Sequence, residues 1–62
     1  MKKFTYIVAV YDPEGQGEIT FHHTTIEAKD KTAAYVLGRD WATESGYWAE
    51  DDEVCDDYVI EG

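Results

Sequence analysis

The chain has 62 residues, of which 44% are hydrophobic, and carries a formal net charge of -9. That length admits one domain, residues 1–62, with a small core. The charge excludes a direct hold on a phosphate backbone or on anionic lipid, because both require clustered lysine and arginine.

The start, Met1-Lys2-Lys3 followed by a short apolar run, has the outline of a leader. The run contains Thr5 and Tyr6 and meets Asp12-Pro13 at once, which fits a strand better. No stretch is long enough to span a membrane, so the expectation is a soluble cytoplasmic protein. Residues 3–11 alternate as strand one, with Phe4, Tyr6, Val8 and Val10 on one face and Thr5, Ile7, Ala9 and Tyr11 on the other. Both faces are largely apolar, so the pattern leaves open which of them is inward. Residues 12–17 form a turn built on Pro13 and two glycines.

Strand two is expected over Glu18–Glu27. Strict alternation puts Ile19 and Phe21 opposite Ile26 and Ala28. A slip near His22-His23-Thr24-Thr25 would bring all four to the core, so a bulge or bend is expected there. Asp30 is the expected N-cap of a helix over 31–45. Ala33, Ala34, Leu37 and Trp41 form its apolar stripe, with Gly38 beside it for close approach to the sheet. Gly46 supplies the stop. Residues 47–53 read as a loop, and residues 55–61 as the last strand, with Tyr58 and Ile60 on one face and Val59 on the other.

This order, β-β-α-β, predicts an α+β fold: a two-layer domain with a three-stranded antiparallel sheet in the order 2-1-3 and one helix on one face. Such a sheet leaves aromatic and apolar side chains uncovered on its second face, which marks an interface. With Cys55 as the only cysteine and no ligand spacing for a structural metal, an internal staple is missing. Both points lead to the expectation of a homodimer.

The charge is unevenly distributed. Residues 1–39 hold five acids and five bases, whereas residues 40–62 hold nine acids and no base. The nine are Asp40, Glu44, Glu50, Asp51, Asp52, Glu53, Asp56, Asp57 and Glu61. Like charges this dense repel, so the sequence points to a basic partner surface. Tyr47, Trp48 and Tyr58 flank the acidic loop and complete the expected partner-binding set, since aromatics anchor interfaces that carboxylates steer. Tyr47 is expected to be exposed, Trp41 to be core, and Tyr35 to be free for contact. Trp48 can either close the core or face a partner.

A row of carboxylates can imitate DNA, with its one charge per about 1.7 Å, and block a groove that holds nucleic acid. In size and charge the chain resembles the small acidic DNA-mimic inhibitors encoded by phages and mobile elements. The likeness is one of class, with no shared motif. The leading expectation is thus a small acidic protein-binding module, with such an inhibitor as one form of it. The alternative is a small structural or regulatory homodimer held by the uncovered sheet face, its acids serving solubility.

Other chemistries lack their residues. His22 and His23 are adjacent in a strand and point to opposite faces, so they do not chelate together. Cys55 precedes two carboxylates, which disfavour its thiolate; a buried structural thiol is expected. Residues 50–61 lack the calcium-loop spacing. No nucleophile with its base and no phosphate-binding glycine loop is present. No cofactor, metal site or enzymatic activity is therefore expected.

Overall fold

The computed structural model describes residues 1–12, 18–48 and 55–62, with the side chains of Asp12, Glu18 and Cys55 outside that description. Three strands and a helix follow in the order β1 (Lys2–Asp12), β2 (Glu18–Ala28), α1 (Lys31–Glu44) and β3 (Cys55–Glu61). The sheet order is β2-β1-β3, and both pairings are antiparallel. This is the expected α+β architecture, with the helix packed on one face.

The alternation of β1 resolves into an inside and an outside. Phe4, Tyr6 and Val8 are buried beneath the helix, with Ala28, Ala34, Ala42 and Val59 around them. Val10, Ile26, Ala33, Trp41, Tyr47 and Trp48 close the margin of this core. The other face, with Ile7, Ala9 and Tyr11, has no layer over it among the described residues.

The expected bulge in β2 is absent. Pairing with β1 runs without interruption from Lys2↔Ala28 to Asp12↔Glu18. Ile26 and Ala28 therefore go inward, while Ile19 and Phe21 stay on the open face, 57% and 61% exposed. The strand keeps its ladder whole and leaves two large apolar side chains outside. The cost of that exposure is what a bulge would have removed.

The helix also differs from the expected stripe. Its buried residues are Ala34, Gly38 and Ala42, a line of small side chains at i, i+4 and i+8. Leu37 lies 100° around from that line and is exposed, as is Val36. Small residues win the contact line because Tyr6 fills the space beneath it. A Cβ added at Gly38 would lie 2.8 Å from the Cβ of Tyr6 and closer still to its ring. The ends follow the sequence signals. The Asp30 side chain accepts from the Ala33 N–H at 2.8 Å, and Gly46 takes a positive φ of 81° after the last turn.

Candidate functional site

The two faces of the sheet hold different residues, and each sorts by strand parity. On the open face β1 contributes Ile7, Ala9 and Tyr11, β2 contributes Ile19, Phe21 and His23, and β3 contributes Asp56, Tyr58 and Ile60. Tyr58 and Ile60 are 50% and 51% exposed. Ala9 is the small member of the set. Around it Tyr11, Ile19, Phe21, Tyr58 and Asp56 wall an open groove of about 320 Å³. The short side chain at Ala9 sits between larger cross-strand neighbours, Phe21 on one side and Asp56 on the other. Nearly all of the groove is apolar; its one charged wall is Asp56.

On the helix side a polar cluster is built around Asp57. The alternation that puts Val59 inward puts Asp57 inward too, opposite Val8, and its side chain is 4% exposed. Arg39 answers it from the helix: Nε donates to Oδ2 at 2.7 Å and Nη2 to Oδ1 at 3.1 Å. Tyr6 donates its hydroxyl to Oδ2 and Tyr35 donates to Oδ1, each at 2.7 Å. Arg39 also donates to the Tyr35 hydroxyl and lies over the Trp48 ring, 3.6 Å from its centroid.

Burial by itself pushes the Asp57 carboxyl up. The hydrogen bonds from Arg39, Tyr6 and Tyr35 outweigh it and hold the group below the ordinary carboxylate range. Burial, followed by the hydrogen bond to Asp57 and its charge, raises the Tyr6 phenol well above its usual value. The hydrogen bond to Asp57, then burial, raises Tyr35 as well. A charged carboxylate with each of its donors in place is a tie between helix and sheet, with no free valence for a ligand.

The five late carboxylates among the described residues are thus dispersed. Asp40 and Glu44 are exposed on the helix, Asp56 lies on the opposite, open face, and Glu61 is exposed on β3. Asp57, expected to face a partner, is instead neutralised internally by Arg39 because its register points it at the helix. Glu50, Asp51, Asp52 and Glu53 lie outside the described residues, as does the expected burial of the Cys55 side chain.

The aromatic expectations divide in the same way. Tyr58 is on the open face. Tyr47, expected to be exposed, is half-buried: its ring stacks on His22 at 3.8 Å and 6° and packs against Trp41. Trp48 is half-buried under Arg39, so of its two readings the structural one describes its contacts. Tyr35 keeps an exposed edge but spends its hydroxyl on Asp57. His22 and His23 do take opposite faces, and His23 is exposed.

The Asp57 cluster is the feature that sequence reasoning missed. Its signals were available: Tyr35 and Arg39 share a helix face at i, i+4, and the β3 alternation turns Asp57 with Val59 toward that helix. Among the described residues no three of His, Cys, Asp and Glu converge to hold a metal. The helix is not long and apolar enough to cross a membrane. No protein-family model matches the chain, and no solved structure matches it.

Proposed function

We propose that this protein is a binding module that works by contact, and that the open face of the sheet is its contact surface. The observation carrying this reading is the aromatic and aliphatic cluster around the Ala9 groove, uncovered among the described residues of a chain otherwise rich in charge. Exposed apolar side chains are ordinary one at a time; gathered on one face around a groove they mark an interface. Tyr11, Phe21 and Tyr58 are residue types that anchor interfaces.

A carboxylate row that mimics nucleic acid needs acids on one continuous surface; among the described residues Asp40 and Glu44 lie on the helix side and Asp56 on the open face. The acidic surface then serves solubility and long-range steering, while the sheet face supplies the adhesion.

A photo-crosslinking side chain at position 21, introduced in cells that make the protein, tests this. It should give a covalent protein adduct, whereas the same group at Thr43, exposed on the helix, should give none. No adduct from position 21, or equal yields from both positions, would remove the open face as the contact surface.

A further inference from the structure

We infer that the occupant of the open face is a second copy of this chain, packed sheet against sheet. The inference rests on the contact-surface reading above and adds the identity of the partner.

Strands rise about 3.4 Å per residue and lie about 4.8 Å apart. Eleven-residue β1 and β2 with seven-residue β3 give a footprint of roughly 500 Å² per copy on those spacings. Two such faces bury on the order of 1,000 Å², about the threshold a specific interface has to clear and above ordinary lattice contacts.

A chain of net charge -9 would repel its own copy if the acids lay at the contact. By strand parity the open face carries only Lys3, Glu27 and Asp56 among the described charged side chains, and Lys3 is paired in register with Glu27. Asp40, Glu44 and the internally bound Asp57 are on the helix side. Face-to-face packing therefore turns the exposed helix charges outward and keeps them apart, whereas a basic partner would find, among the described residues of this face, only Glu27, already opposite Lys3, and Asp56.

A two-fold contact requires one surface to carry both the hole and the knob that fills it. The groove over Ala9, about 320 Å³, accepts one aromatic or branched side chain. Phe21, Tyr58 and Ile60 project from the same face. Two sheets so joined stand about 10 Å apart, with the helices as outer layers, and each 62-residue chain gains the second core that its size denies it.

Sedimentation equilibrium of the purified full-length chain is the test. The expected mass is twice 7.1 kDa at micromolar concentration, with association tightening as salt is added, because salt screens the repulsion between two acidic bodies. Phe21→Lys should weaken the dimer by roughly a hundredfold or more, with the far-ultraviolet circular dichroism of the fold retained. Tyr58→Lys, on the other edge strand, should do the same, so the outcome does not depend on one variant folding. Val36→Lys, on the exposed side of the helix, should leave the dimer intact.

A single-chain mass up to millimolar concentration would overturn the inference, as would a dimer lost with Val36→Lys and indifferent to both sheet variants. A monomer whose position-21 crosslinker captures a different protein removes the second copy and keeps the contact-surface reading. A monomer that gives no adduct removes both.

Discussion

The two faces of this sheet are drawn from the same three strands, yet among the described residues only one of them is covered. On the helix side, Phe4, Tyr6 and Val8 lie under a line of small residues, and the buried carboxylate of Asp57 meets donors from three side chains. On the open side, Phe21, Ile19, Tyr58 and Ile60 are half or more exposed. The difference lies in what stands opposite. Ala34, Gly38 and Ala42 bring the helix close enough for Tyr6 to fill the gap and for Arg39 to reach Asp57. Nothing among the described residues does this for Ala9 and its neighbours. Contact of so many apolar groups with water is unfavourable, and the proposed contact is what would relieve it.

Substitutions separate the two faces, and the largest effect belongs to the helix side. Asp57→Ala removes the acceptor shared by Arg39, Tyr6 and Tyr35 and strands a buried phenol. It should cost about 3 kcal/mol in urea unfolding. Truncations on the open face should change monomer stability far less.

Gly38→Ala comes next. The added methyl meets the fully buried Tyr6 ring, an overpacking that costs about 1–3 kcal/mol and outweighs the gain in helix propensity of about 1 kcal/mol. Thermal unfolding should show a lower midpoint.

Acid acts through the same tie. The Asp57 carboxyl has a lower pKa folded than unfolded, so protons bind the unfolded chain more readily. Its contribution is complete above the unfolded value of about 3.9 and is lost as pH falls through the lower folded value. Stability followed by circular dichroism should therefore fall more steeply below about pH 4 in the native chain than in Asp57→Asn. The smallest effect is on the outer helix. Asp40→Asn with Glu44→Gln removes carboxylates that oppose the helix dipole and should raise stability by roughly 0.3–0.5 kcal/mol.

Much of the inner face was legible in the sequence. Period-two alternation gave the strands, Asp30 and Gly46 gave the helix ends, and the element order gave the sheet order. Two expectations failed for one shared reason. The pattern rewards placing every apolar residue inward, so it called for a bulge to rescue Ile19 and Phe21 and for Leu37 in the helix stripe. The regular β1–β2 ladder and the close helix contact at Gly38 left those residues outside. Backbone pairing and close approach outweighed burial of individual side chains, and a hydrophobicity pattern does not record that competition. The Asp57 cluster escaped because Asp57 was counted with its acidic neighbours, although its parity separates it from Asp56 and groups it with Val59.

The central claim is that the open face is covered in the working protein. A soluble paramagnetic probe, read by nuclear magnetic resonance on Ile19, Phe21 and Tyr58 against Val36 and Leu37, tests it most directly. The account predicts that the sheet-face side chains are shielded in concentrated solution and become accessible on dilution, while the helix pair is accessible throughout. Equal accessibility of the two groups at every concentration would contradict it.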